Sequence, residues 1–267
     1  MTPASVAQAQ AQPQPAVPVG ATANANPTAT ATANQSTAST ASIASTVVEE
    51  RDAQGRLLAS MAMRGDVLHG EMRRFGPKGQ PLMSATYVDG QLDGLLRLHD
   101  DNGALVQEAS YRLGRQEGLT RTWQNGRCLA EQNFVAGLPD GASVMYDQAG
   151  QVTAQLRMRA GQIEGLATFF HEGRVVRRSQ YRQGLLDGES TDYDGAGTVV
   201  QVMSYRANLL HGPVRRYWPD GRMMEEQSYQ KGKPLAPPER FDAEGRRLAP
   251  GAATPSLLVR LESLFKG

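Results

Sequence analysis

A repeat of 23–24 residues runs through most of the chain and limits its possible folds more than any other feature. Each copy starts at an aromatic residue or a methionine, and successive starts are separated by 24, 24, 23, 24, 23, 24 and 24 residues. The eight starts are Met63, Tyr87, Tyr111, Phe134, Met158, Tyr181, Tyr205 and Tyr229. Short units of this kind stack so that each one contacts mainly its neighbours, which favours a repeat architecture over a globular one.

Small residues recur at fixed offsets from each start. The position three residues after the start is Asp66, Gly90, Gly114, Gly137, Gly161, Gly184, Asn208 and Gly232. Four residues further on the chain has Gly70, Gly94, Gly118, Gly141, Gly165, Gly188, Gly212 and Ala236. Gly, Asn and Asp are the residues that most readily adopt positive φ, so both columns predict tight turns or bulges.

Each copy is predicted to be a β-hairpin, because glycine turns separate short runs of aromatic and β-branched residues. A second aromatic column follows five residues after the second glycine: Phe75, His99, Trp123, Tyr146, Phe170, Tyr193, Tyr217 and Phe241. A third glycine column follows it: Gly79, Gly103, Gly126, Gly150, Gly173, Gly197, Gly221 and Gly245. This glycine comes four residues after the aromatic in most copies but three in "WQNGR" and "FHEGR", which places the missing residue of the 23-residue copies in that loop. A single hairpin is only marginally stable, so the copies must stabilise one another. The prediction is an all-β, elongated single-sheet solenoid of about eight stacked hairpins, roughly 80 Å long at about 4.8 Å per strand.

The pattern divides the chain into three parts. Residues 1–46 contain no charged side chain and almost no large apolar one, which predicts a disordered tail without the features of a signal peptide. Residues 47–248 form the repeat domain, and "VVEERDAQGRLLASMAM" is a leading half-copy. Residues 249–267 carry apolar side chains at helical spacing, which predicts a short amphipathic helix that caps the sheet or, alternatively, docks a partner.

Composition excludes several classes of function. The formal net charge is +1, so no strong field favours nucleic acid, and none is expected as a partner. No apolar run reaches the length of a membrane-spanning helix. Cys128 is the sole cysteine; it rules out an internal disulfide and lies in an apolar repeat position, which predicts a buried structural thiol and suits a cytoplasmic location.

No residue set with catalytic spacing stands out from the repeat. The histidines His69, His99, His171 and His211 fall in different copies. His69 and His211 share the position before the second glycine with five acidic residues, here called the acid position: Asp93, Glu117, Asp140, Glu164 and Asp187. There is no phosphate-binding GxxxxGK[ST] motif and no isolated Ser–His–acid set. We therefore predict a protein that is not an enzyme and has no cofactor and no metal site.

Arginine supplies the candidate binding residues, in two columns. Column A, directly after the start residue, contains Arg64, Arg112, Arg159, Arg182 and Arg206. Column B, three residues after the second glycine, contains Arg73, Arg97, Arg121 and Arg215. These guanidinium groups could meet an acidic protein surface or anionic lipid. Alternatively, column A pairs within the chain with the acid position five residues later, as in Arg112–Glu117, Arg159–Glu164 and Arg182–Asp187.

The copies have the form Y-x-x-G-x-x-[DEH]-G-x4-[aromatic]-x3-G and resemble MORN-type repeats. They are most similar to the MORN-variant repeats of the YwqK-like bacterial antitoxin family, over about residues 47–248. Four residues depart from this form: Asp66 and Asn208 at the first glycine position, Ala236 at the second, and His99 at the aromatic position. The resemblance implies a non-enzymatic scaffold, an antitoxin- or immunity-like protein that binds and neutralises or chaperones a cognate toxin or secreted effector. The alternative is a membrane-associated MORN scaffold that binds anionic lipid through the arginine columns, although the near-neutral charge weighs against it.

Overall fold

The computed structural model describes residues 45–249 of the chain. Those residues form 19 strands of one antiparallel sheet, and they contain no helix. The predicted all-β single sheet of stacked hairpins is therefore confirmed. The predicted tail over residues 1–46 and helix over residues 249–267 lie outside the described residues, apart from Ser45, Thr46 and Ala249.

The strands follow one another closely along the chain. They are β1 (Ser45–Arg51), β2 (Leu57–Arg64), β3 (Val67–Phe75), β4 (Pro81–Val88), β5 (Gln91–His99), β6 (Leu105–Arg112), β7 (Arg115–Gln124), β8 (Arg127–Val135), β9 (Leu138–Tyr146), β10 (Val152–Arg159), β11 (Gln162–Ile163), β12 (Gly165–His171), β13 (Arg174–Arg182), β14 (Leu185–Tyr193), β15 (Val199–Arg206), β16 (Leu209–Tyr217), β17 (Met223–Gln230), β18 (Lys233–Pro234) and β19 (Glu239–Arg240).

Apart from the two interrupted strands, each strand pairs with the next one along the chain, so the sheet is a meander. β1 pairs with β2 from Ser45 opposite Arg64 to Arg51 opposite Leu57, which confirms the leading half-copy. β11 and β12 both pair with β10, and β18 and β19 both pair with β17, because one strand is interrupted in each of these places.

The first glycine column forms two-residue turns between hairpin strands. Leu113 and Gly114, for example, have φ of 49° and 76°, and positive φ at both central residues is the signature of a type I′ turn. Asn208 also has positive φ, at 66°. In the first copy the positive φ falls on Gly65 instead of Asp66.

The third glycine column closes the loops at the other end of the strands. In six of the eight copies a four-residue turn ends at this glycine, and in four of them its first residue is an aspartate, namely Asp100, Asp147, Asp194 and Asp242. Asp194 Oδ1, for example, accepts hydrogen bonds from the N–H groups of Ala196 and Thr198, at 2.9 and 2.8 Å. In the two 23-residue copies the loop is a two-residue turn with positive φ, Asn125–Gly126 and Glu172–Gly173. The missing residue is therefore where the spacing predicted it.

The second glycine column lies where the pairing between strands shifts. Between β13 and β14 the register changes between Ser179 and Tyr181, and Gly188 in the facing strand has φ of 126°. A Cβ atom on Gly188 would lie 2.9 Å from Cβ of Gln180, which is closer than carbon atoms pack. This position requires glycine both for its backbone conformation and for space.

The last copy departs from the pattern, and its strand is broken. Ala236 stands at the second glycine position, beside Pro234, Pro237 and Pro238. The strand there is reduced to the two-residue segments β18 and β19. Proline has no N–H group for the strand pairing, so the sheet weakens at this edge.

The two faces of the sheet differ sharply in exposure. Ala154, Leu156 and Met158 of β10 are buried, whereas the alternating Gln155 and Arg159 are exposed. The buried face continues from strand to strand mostly through small or apolar side chains, namely Ala59, Met72, Ala85, Leu96, Ala109, Ser143, Ala167, Ser179, Tyr181, Ser190 and Val214. The opposite side, which carries Gln155 and Arg159, is called the open face here.

Gly188→Ala should destabilise the protein by about 3 kcal/mol, because it combines backbone strain with an atomic overlap. Gly197→Ala is the matched control, since Gly197 has φ of 85° but nothing within 4 Å of an added Cβ. Strain alone predicts a loss of about 1 kcal/mol at Gly197. Urea denaturation of the full chain measures both values, and equal losses would contradict the proposed role of the contact with Gln180.

Candidate partner-binding surface

The column B arginines lie in one row of directly opposed residues on the open face. In the pairing of β5 to β8, Arg97 is opposite Glu108, Glu108 is opposite Arg121, and Arg121 is opposite Glu131. Because the row continues from strand to strand, oppositely charged side chains in it are neighbours.

Column B is neutralised by carboxylates within this row or beside it. Nε of Arg97 lies 2.8 Å from Glu108, and Nε of Arg121 lies 2.9 Å from Glu131. The remaining pairs of the column are Arg73–Glu71 at 2.7 Å and Arg215–Glu226 at 3.0 Å. These arginines therefore connect neighbouring strands or residues, and they present little uncompensated charge to a partner.

Column A lies at the strand ends beside the type I′ turns. Arg64 forms an ion pair with Asp89, and Arg182 lies 3.7 Å from Asp187. Arg112, Arg159 and Arg206 make no ion pair with any residue in the described range 45–249, and all three are exposed. The two arginine columns thus share a face but have different electrostatic environments.

The intramolecular pairing of column A with the acid position is wrong for two of its three pairs. Arg182 and Asp187 are close, but Glu117 and Glu164 accept hydrogen bonds from backbone N–H groups instead. Glu117 accepts from Ala136 and Glu164 from Gln183, both at 2.8 Å. A carboxylate that accepts a backbone N–H satisfies a fixed donor, whereas an exposed arginine remains well solvated without a partner.

At five of its seven occurrences, the acid position attaches the following type I′ turn to the copy before it. The N–H of Ala136 donates to Glu117, and the N–H of the next residue, Gly137, donates to the carbonyl oxygen of Gln116 at 2.9 Å. Asp93, Asp140 and Glu164 accept in the same way from the following turn, and His69 does so through Nδ1 at 3.4 Å. The acid position is therefore structural, and His69 is a variant of it, as its place in the repeat predicted.

Exposed aliphatic side chains flank the same turns. Leu138, Leu185 and Leu209 stand directly across the hairpins from Val135, Arg182 and Arg206. Their exposed fractions are 52%, 41% and 50%, and Leu113 inside a turn reaches 66%. We call the column A arginines together with these aliphatic residues the turn rim. Unpaired arginine beside exposed apolar surface is the composition found at protein interfaces.

The aliphatic half of the turn rim was not recognised from the sequence. The sequence signal for it is the column of residues directly after the turns, where four of the eight copies have an aliphatic side chain. The column reads Val67, Gln91, Arg115, Leu138, Gln162, Leu185, Leu209 and Lys233. Some of these side chains also cover the turn of the next copy. Leu209, for example, has Cδ2 3.8 Å from the position of a Cβ on Gly232.

Cys128 is half-buried opposite Trp123, and its Sγ lies 3.6 Å from the carbonyl oxygen of Ala130. Burial raises the pKa of the Cys128 thiol, and the negative charge of Glu131 raises it further. The thiol is therefore less acidic than a free cysteine, which agrees with a structural role.

Within residues 45–249, no three His, Cys, Asp or Glu side chains gather where they could hold a metal ion. The same part of the chain has no helix of the length and apolar character needed to cross a membrane.

Comparison with known proteins supports the repeat class. Residues 210–231, which cover most of β16 and all of β17, match the family model described as MORN repeat variant. The glycine and aromatic positions of this unit recur along the sheet, so the match supports assigning the other copies to the same repeat type. The chain matches no curated protein.

One chain of a solved structure, "Crystal Structure of TcdB2-TccC3-Cdc42", is similar over 71% of this chain at 13% sequence identity. The similarity covers 14% of that solved chain, and its TM-score of 0.15 is too low to support an inference about fold or function.

Glu117→Ala should speed hydrogen exchange at the Ala136 amide and lower stability by about 1 kcal/mol, because it removes the acceptor of that N–H group. Glu117→Gln keeps an oxygen acceptor and should retain most of the protection. Arg112→Gln separates the two interpretations of the acid position. If it exposes the Ala136 amide as much as Glu117→Ala does, the pairing of Arg112 with Glu117 holds after all.

Cys128 should react more slowly with iodoacetamide in the native protein than in the urea-unfolded chain at pH 8. Its raised pKa leaves less thiolate at that pH, and the rate should climb at a higher pH than in the unfolded state. Alkylation rates measured by mass spectrometry across pH test this. A native rate equal to or above the unfolded one would point to a reactive thiol.

Proposed function

We propose that this MORN-repeat protein is a non-enzymatic scaffold that binds a partner protein along the turn rim. The observation that carries the proposal is the contrast between the two arginine columns. Column B is paired with glutamates, whereas Arg112, Arg159 and Arg206 are exposed, without ion pairs in the described chain, and close to exposed leucines.

The densest part of the turn rim favours an acidic partner. Arg159, Arg182 and Arg206 come from three consecutive copies, which places them about 10 Å apart at two strands per copy. In the strand order Leu185 lies between Arg182 and Arg206, and Leu209 lies on the far side of Arg206. A partner with carboxylates at that spacing and apolar side chains beside them would pair with the arginines and cover the leucines, and both effects favour binding.

The finer part of the proposal concerns the partner's identity. The form of the repeat resembles the YwqK-like antitoxin family, and on that ground we propose a cognate toxin or secreted effector, bound in the cytoplasm. The scaffold would neutralise it by covering its active surface, without a chemical step of its own. No catalytic residue is assigned to this chain in that mechanism.

Binding of anionic lipid by the arginine columns is the second candidate. The exposed column A arginines favour it, since unpaired basic groups are attracted to anionic headgroups. The internal pairing of column B removes four of the nine arginines from that role. The protein-binding proposal therefore accounts for more of the surface.

Replacing Arg159, Arg182 and Arg206 together by Gln should abolish recovery of the partner protein in an affinity pull-down from native lysate. The matched control replaces Arg97, Arg121 and Arg215 by Gln, which removes the same charge from the same face. We expect the control to recover the partner at the wild-type level. Thermal melting followed by circular dichroism verifies that both variants fold.

The outcomes separate the candidates. If wild type and the column B variant recover one stoichiometric protein and the column A variant does not, binding along the turn rim is supported. Equal loss in both variants, or in neither, contradicts it. Sedimentation with phosphatidylserine vesicles at low and moderate salt tests the second candidate, which requires retention that the column A variant loses.

A further inference from the structure

A pocket of 610 Å³ opens on the open face at the loop end of β13 and β14. Arg174, Val175, Arg178 and Tyr193 line it together with the loop over residues 195–197. On β13, Arg178 and Arg174 are four and eight residues from Arg182 of the turn rim, which corresponds to about 13 and 26 Å along an extended strand. The pocket is therefore separate from the surface assigned to the partner protein.

Arg178 occupies the charged row of the open face but lacks the carboxylate that its counterparts have. Its two directly opposed neighbours are Thr168 and Thr191, where Arg97, Arg121 and Arg215 face glutamates. Arg178 is exposed, and neither it nor Arg174 makes an ion pair with any described residue of the chain. The charge of both guanidinium groups is uncompensated.

The pocket holds these two groups in place. Cζ of Arg178 lies 5.8 Å from the centre of the Tyr193 ring, in the range of a cation–π contact. Nη1 of Arg174 donates to the carbonyl oxygen of Gly195 at 2.5 Å, which ties this side chain to the loop. Oδ1 of Asp194, the nearest acidic residue along the loop, accepts the N–H groups of Ala196 and Thr198 and so belongs to the turn.

We propose that this pocket binds an oxyanion, a carboxylate or a phosphate monoester, that is attached to a flat apolar group. The oxyanion would accept hydrogen bonds from Arg178 and from the remaining N–H groups of Arg174, since a guanidinium fork matches both kinds of anion. The apolar group would pack on Val175 and on the Tyr193 ring. The proposal uses no residue of the turn rim, so it stands or fails independently of the function proposed above.

Benzoate, phenyl phosphate and neutral benzyl alcohol serve as probes in an NMR titration of the full chain, with the arginine Nε–Hε signals as the readout. We expect saturable shifts of the Arg178 signal with at least one of the two anions, at a dissociation constant on the order of 1 mM. The anion with the lower dissociation constant shows whether the pocket prefers a carboxylate or a phosphate monoester. Benzyl alcohol should give no saturable shift.

Arg178→Gln should weaken anion binding about tenfold or more, because it removes the charged donors. Arg215→Gln, in the same row but paired with Glu226, is the matched control and should bind like the wild type. Arg178 is exposed and makes no ion pair with the described residues, so its variant should fold and melt close to the wild-type temperature. Absence of saturable binding by both anions, equal binding of benzyl alcohol, or wild-type binding by Arg178→Gln would overturn the proposal.

Discussion

The attachment of each type I′ turn to the preceding copy is the interaction on which the sheet depends. At all seven type I′ turns the second turn residue donates its N–H to a backbone carbonyl of the copy before it, as Gly137 does. At five of them the first turn residue also donates its N–H to the side chain at the acid position, as Ala136 does. A hairpin alone would be marginal in water. These bonds repeat along the sheet and fix where every turn lies relative to its neighbour, so the side chains beside the turns form a continuous surface.

That use of the acid position determines the charge of the surface. Because Glu117 and Glu164 accept backbone N–H groups, Arg112 and Arg159 remain without a carboxylate partner in the described chain. Column B differs, since Glu108 and Glu131 stand directly opposite its arginines on neighbouring strands. One face of one sheet thus carries a row of paired arginines and a rim in which Arg112, Arg159 and Arg206 have no carboxylate partner among the described residues. Arg178 is the arginine of the row that also lacks one.

The single layer imposes a second constraint. With no other sheet or helix on it in the described residues, the buried face can bury only small or well-fitted side chains, which explains the row of Ala109, Ala167, Ser179 and Ser190. The second glycine column also satisfies a limit of space, because an added Cβ on Gly188 would meet Gln180. The interruption of the last strand near Ala236 shows how closely strand continuity depends on the pattern.

The sequence by itself determined the repeat class, the hairpin boundaries, the positive-φ turns and the loop that loses a residue. These features arise from local backbone preferences of Gly, Asn and Pro, which need no knowledge of distant residues. Only the tertiary structure decided what each charge contacts. The separation of five residues between Arg112 and Glu117 suggested a pair, but the acceptor of the Ala136 N–H group comes from another copy, 19 residues away. The pocket at Arg178 and Tyr193 likewise depends on register between strands, because residues that share a row are set by pairing and not by their distance along the chain.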